Sequence, residues 1–205
     1  MVVDKKFVRL VEDACESALI NVGFKRLRRG SVVWEVSPGF LGWIGLNQGN
    51  HQTHLRINPF VGIHSVDVMR LWAQFDGEKY SKGASATYAI HVGELIPEEL
   101  TYEFHSEEQV FAEADRLAKD IFNTGLPYMR SIASYEALLP LIEARMPMLG
   151  GYPERYALIL FLSGKPEQAR EFVEGVLDKK ENLAKFSNEF FTTFGVNFLK
   201  YAESK

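Results

Sequence analysis

The chain has 205 residues, 46% of them hydrophobic and 24% charged, with a formal net charge of −4. A chain of this length buries a real core without staples, and its single cysteine, Cys15, excludes an internal disulfide and any zinc site built on two or more cysteines. The acidic balance argues against a nucleic-acid partner, which needs a basic footprint. No apolar run approaches a membrane span, and acidic residues arrive too early for a signal peptide, so the expected address is the cytoplasm.

In chain order, Asp4 is a plausible N-cap for a helix over 4–22, whose stripe Phe7, Leu10, Val11, Ala14, Cys15, Ala18, Leu19 and Val22 keeps helical spacing and ends at Gly23. Strand-like runs follow at 31–36, 41–48 and 51–61, separated by Ser37-Pro38-Gly39 and Gly49-Asn50, which suggests a meander. Residues 65–75 suit a short helix and 76–83 a polar loop, with further strands expected at 84–92 and 101–105. Ser106-Glu107-Glu108-Gln109 reads as a capping box for a helix over 106–122, interrupted by Gly125 and Pro127. A second helix is expected over 134–145, and three more over 154–202. The last carries an aromatic seam, Leu183, Phe186, Phe190, Phe194 and Phe198. The expected fold class is α+β: an N-terminal helix, an antiparallel sheet of about five strands with helices on one face, then a helical extension. The expected division is 1–150 for the α+β domain and 151–205 for the extension packed on it.

The stretch over 156–178, helix, tight turn at Gly164 and helix opening on Pro166, resembles one tetratricopeptide-type hairpin; solenoids need several, so this one is expected to pack on the main domain. Residues 5–130 resemble the bacterial family catalogued as domain of unknown function 4304. The residues that carry the likeness are Val22-Gly23-Phe24-Lys25-Arg26 after an amphipathic helix, then Trp34, Trp43-Ile44-Gly45-Leu46-Asn47-Gln48 and Leu55-Arg56-Ile57-Asn58. The resemblance implies an α+β domain from bacteria, with no established activity and no catalytic residues to carry over. Some such small bacterial families sit beside toxin genes as immunity proteins.

Strand parity divides the expected sheet into two faces. Trp34, Ile44, Leu46, Leu55, Ile57, Tyr88 and Ile90 form the apolar one; Glu35, Trp43, His54, Arg56, Asn58, Thr87 and His91 form the other, which stays open if helices cover only the first. Trp43, His54, Arg56, Asn58 and His91 on an open face can stack on and hydrogen-bond a small ligand; the plain alternative is a solvated outer face. His51 and His54 are three apart in a segment that alternates as a strand, so they are expected to point to opposite faces, and no metal and no cofactor are expected. Cys15, inside the helical stripe, reads as a small buried hydrophobe. No nucleophile elbow, Walker loop or dinucleotide fingerprint occurs.

Charge is uneven. Residues 1–30 carry seven basic and four acidic side chains, a local +3; residues 94–120 carry nine acidic and two basic ones, a local −7. Such a patch steers a charged partner. The expected function is therefore a non-catalytic protein-binding module, an immunity-type inhibitor meeting a basic toxin domain through Glu98, Glu99, Glu103, Glu107 and Glu108. The alternative is an enzyme or small-ligand binder using the open face around Trp43, Arg56 and His91.

Overall fold

A computed structural model describes residues 4–28, 30–51, 53–98, 101–146, 152–178 and 185–204. Helix α1 (Lys5–Asn21) starts where Asp4 accepts the Lys6 N–H at 3.2 Å. It ends in a six-to-one bond, Phe24 N–H to the Leu19 carbonyl at 3.1 Å, made possible by Gly23 at φ +109°. Any Cβ on Gly23 would sit 2.7 Å from the Trp34 ring, so the position is closed to side chains by both conformation and space.

The strands are β1 (Lys25–Arg28), β2 (Ser31–Ser37), β3 (Phe40–Asn50), β4 (Leu55–Ser65), β5 (Tyr88–His91) and β6 (Tyr102–Phe104). They form one six-stranded antiparallel sheet in the order β1-β2-β3-β4-β5, with β6 also paired to β4. β1 is the strand that sequence pattern does not reveal: Lys25-Arg26-Leu27-Arg28 has no alternation, because all four residues of this edge strand are exposed. β4 serves two partners along one edge. Leu55, Arg56 and Ile57 face Phe104, Glu103 and Tyr102, whereas Phe60 to Ile63 face His91 to Tyr88. The change of partner falls at Asn58-Pro59, where Pro59 has no N–H to offer a ladder.

Helix α2 (Val66–Asp76) follows β4 directly. After β6, α3 (Glu107–Asp120) runs through a π-turn at Ile121–Gly125 into α4 (Leu126–Ser131), instead of breaking at Gly125 and Pro127. The Leu126 N–H reaches the Ile121 carbonyl, the i→i+5 bond that absorbs one extra residue just ahead of the proline. Gly125 lets this turn approach β4: a Cβ there would lie 3.1 Å from Val61 Cγ1. α1, α3 and α4 pack on one face of the sheet, over Val32, Ile44, Leu55, Ile57 and Val61. Ile44 is fully buried and Leu46 half-buried, as the expected register requires.

The chain forms two compact units, Met1–His64 with Lys82–Ala133, and Ser65–Ser81 with Ser134–Lys205. The second is all helical: α2, α5 (Tyr135–Arg145), α6 (Pro153–Leu162), α7 (Pro166–Asp178) and α8 (Lys185–Glu203). Ser65 and Ser134 cap α2 and α5 through their hydroxyls. Gly164 at φ +80° turns α6 into α7, with the Lys165 N–H on the Leu160 carbonyl at 3.0 Å. The aromatic seam of α8 docks inward. Phe194 and Phe198 are buried against Phe75 of α2, and Phe161 of α6 meets Phe198 edge-on. Asn197 Nδ2 donates to the Phe75 carbonyl at 2.8 Å. Leu183 and the side chains of Phe186 and Phe190 lie outside the described residues.

In the first unit a buried carboxylate ties helix to hairpin. Glu16 is 2% exposed; its Oε2 lies 2.9 Å from Arg26 Nε, and its other oxygen accepts the Gly30 N–H. Replacing Glu16 with Ala strips both groups of their partner and should lower unfolding free energy by about 2 kcal/mol, since hydrogen bonds to charged groups are worth ~1.5–3 kcal/mol. Urea unfolding monitored by fluorescence checks this; an unchanged midpoint would show that the β1–β2 turn is held some other way.

Candidate functional site

The second sheet face is open only in part. Segment 82–86 lies over its β1–β3 end, and its anchor is Gly83. The Gly83 carbonyl accepts from Ser31 Oγ at 2.8 Å and from the Trp43 indole N–H at 3.1 Å. The Gly83 N–H donates to His64 Nε2 at 3.2 Å. That bond leaves the proton of a neutral imidazole on Nδ1, which donates to the Ser85 carbonyl at 2.7 Å. Arg28 completes the clasp on the Ala84 carbonyl. Trp43 therefore holds a loop through its indole N–H. His64 escaped the sequence reading although it continues the parity Arg56, Asn58, Phe60, Gly62; the signal was available in that alternation.

His91 is also occupied locally. Its Nδ1 accepts the Gly93 N–H at 2.9 Å, Glu94 accepts the His91 N–H at 3.1 Å, and its ring stands edge-on to Phe60. Thr87 is buried, and its N–H extends the β4 pairing to the Ile63 carbonyl at 2.6 Å.

The far end of the same face is different. The turn between β3 and β4 is 51–54, closed by the His51 N–H on the His54 carbonyl at 3.0 Å; β3 continues through Asn50. Strand parity thus does not apply between His51 and His54. Contrary to the sequence expectation they share a side, with rings stacked at 4.6 Å and 8° apart in plane. His105 adds a third ring 4.9 Å from His54. Beneath them Arg56 and Glu103, direct cross-strand partners, form an ion pair at 2.7 Å. His105 Nε2 lies 3.3 Å and His54 Nε2 3.7 Å from the same carboxylate. The Arg56 hydrogen bond holds the Glu103 carboxyl below its ordinary range, and desolvation holds the His54 imidazole below its own. Asn58 belongs to this end: its Nδ2 and His51 Nε2 flank the hydrogen side of Gly49. Among the described residues, Arg56 Nε and His54 Nε2 are buried without a hydrogen-bond partner.

The acidic stretch separates into carboxylates bonded to other elements or to Arg116 and carboxylates exposed to water. Glu94 caps the turn after β5; Glu103 pairs with Arg56; Glu113 and Asp120 flank Arg116, whose guanidinium lies 4.6 Å over the Tyr102 ring. Tyr102, fully buried, donates its hydroxyl to Asp120 at 2.9 Å. Glu98, Glu107, Glu108 and Asp115 are exposed, and Glu99 lies outside the described residues. Ser106 caps α3 without the expected side-chain bond to a helix N–H. Its hydroxyl instead donates to Glu108, which together with the Glu108 N–H holds that carboxyl below the ordinary range. Phe111, one turn on, is 63% exposed among these acids. Its neighbour Val110 takes the inward place.

Among the described residues no group of three or more His, Cys, Asp or Glu side chains is arranged to hold a metal ion. Comparison of the chain with known family models, curated proteins and solved structures finds no match.

Two outcomes follow from these environments. Arg56→Met should raise the titration midpoint of the Glu103 carboxyl toward the ordinary carboxylate value, as read by carbon-13 NMR. A carboxyl pKa depressed by folding stabilises the native state above the unfolded value, and that stability is lost as pH falls through the folded value; the variant should therefore lose stability at neutral pH and show a weaker acid dependence. Burial and the nearby Glu113 and Glu16 push the Cys15 thiol up to about 12. A thiol-specific chromogenic reagent should leave Cys15 untouched in the native protein and modify it only after denaturation; labelling as fast as a free thiol would contradict the helix packing.

Proposed function

We propose that the chain is a protein-binding module of the bacterial cytoplasm, an immunity-type inhibitor that meets a basic toxin domain through the outer face of α3. The observation that carries this reading is Phe111, 63% exposed, with Glu107, Glu108 and Asp115 at −4, −3 and +4 on the same helical face. An exposed aromatic ring framed by charge has the make-up of an interface anchor, the ring filling a socket and the acids excluding water and steering encounter. The likeness of residues 5–130 to the bacterial family named above belongs to the same proposal. Among the described residues no helix is long and apolar enough to cross a membrane, which agrees with the proposed setting.

A second reading keeps the sheet end around His54, Arg56 and Asn58 as a small-ligand site. Its support is the pair of buried nitrogens, Arg56 Nε and His54 Nε2, that have no hydrogen-bond partner among the described residues. Trp43 and His91 also serve local structure through their ring nitrogens.

The test separates anchor from steering. With the partner captured from the native host, Phe111→Ala should raise the dissociation rate about tenfold or more, the range of an aromatic hot spot. Glu107→Lys with Glu108→Lys should slow association at low salt and flatten its salt dependence. Glu103 is left intact because its change would disturb Arg56. Unchanged kinetics in both folded variants would remove α3 as the contact surface.

A further inference from the structure

The three histidine rings at the end of the sheet do nothing for the α3 face and are not needed to close the β3–β4 turn, whose backbone bond runs from His51 to His54 without them. Their placement has a consequence of its own. His54 is the middle ring, with His51 at 4.6 Å on the same turn and His105 at 4.9 Å on the segment after β6. The second contact fastens the hairpin tip to β6. The groups that face His54 are His51 from the turn, Arg56 from β4, and Glu103 and His105 from β6 and its exit. One carboxylate thus stands against a guanidinium and three imidazoles. While His54 is neutral, Arg56 is balanced against Glu103. When His54 gains a proton, its charge sits beside the Arg56 guanidinium and the two cations outnumber Glu103; the side chain of His54 is 14% exposed, so water screens its charge poorly.

We propose that the His51–His54–His105 stack is an acid-released latch that holds the β3–β4 hairpin tip to β6 at neutral pH and lets it go when His54 protonates. Imidazole is the side chain suited to such a device in the mildly acidic range. The direction follows from linkage. A histidine held neutral by the fold binds its proton more readily once the tip is open, so closure is favoured above the ordinary imidazole value and is lost as pH falls through it. Glu103 works in a lower window: its carboxyl, held below the ordinary range, supports the closed form until the carboxylate itself protonates. The two steps are therefore separate in pH. Release also changes the surface, because the end of the sheet passes from balanced charge to net positive.

Hydrogen exchange of the peptides spanning 48–56 and 101–106, corrected for the intrinsic rate at each pH, tests the latch. Between about pH 7.5 and about pH 5.5 the wild type should lose protection roughly tenfold or more in both peptides, while α1 and α3 stay protected. His54→Phe keeps a stacked ring without the charge, and its tip should stay closed over the same range. A wild-type tip whose protection is flat with pH overturns the proposal, as does an equal loss in His54→Phe. Should that variant fold poorly, the wild type still decides: ring-proton NMR must place the His54 midpoint at the pH of opening, and opening only in the carboxylate range overturns the latch in favour of Glu103.

Discussion

β4 offers one edge to two short strands, and most polar placements in the first unit descend from that arrangement. A strand of eleven residues cannot be matched by β5, with four, or β6, with three, so each covers part of it. Pro59 sits at the seam, where a missing N–H costs no ladder bond. The half paired with β6 sets Arg56 against Glu103; the half paired with β5 carries on to His64, which reaches across to Gly83. Because side chains alternate along one strand, both polar clusters are obliged to lie on the same sheet face, at opposite ends.

Those two ends are treated differently by the fold. At the His64 end every strong polar group has a local answer: the imidazole uses both nitrogens, Gly83 uses its N–H and carbonyl, and Ser31 and Trp43 donate to that carbonyl. A satisfied buried network of this kind rigidifies a loop and leaves nothing to bind with. At the His54 end satisfaction is incomplete, since Arg56 Nε and His54 Nε2 are buried with no hydrogen-bond partner among the described residues. Incomplete networks are where chemistry or conformational change is found, and the contrast between the two ends is a stronger pointer than either histidine by itself.

How far the sequence was readable follows the range of each interaction. Caps, helical stripes and face parity are local, so α1, the Pro38-Gly39 turn, the α6–α7 hairpin and the burial of Ile44 and Ile57 were all legible. Non-local pairing was not. Glu103 looked like one more free acid because nothing within its own stretch announces Arg56, forty-seven residues earlier. The turn at 51–54 was misplaced because Gly49-Asn50 is the stronger turn signal by composition, yet both residues extend β3, and that displacement of the turn by a few residues carried His51 to the other side of the sheet. β1 was invisible for the opposite reason: an edge strand needs no buried face, so it leaves no period to find.

The same distinction corrects the view of the acidic stretch. A local −7 suggests a continuous field, but charge that is already paired contributes little beyond a few ångströms. Glu94, Glu103, Glu113 and Asp120 are spent on His91, Arg56 and Arg116, and on the hydroxyl of Tyr102. What remains at the start of α3 is a smaller set, Glu107, Glu108 and Asp115, and it encloses the one large apolar side chain of that helix that the fold leaves in water, Phe111. The inward stripe of α3 is complete without it, through Val110, Ala114, Leu117 and Ala118. Phe111 therefore adds nothing to the core that would explain a phenylalanine at this position. In the proposed interface that ring is the anchor, and the exposed acids around it favour a basic partner.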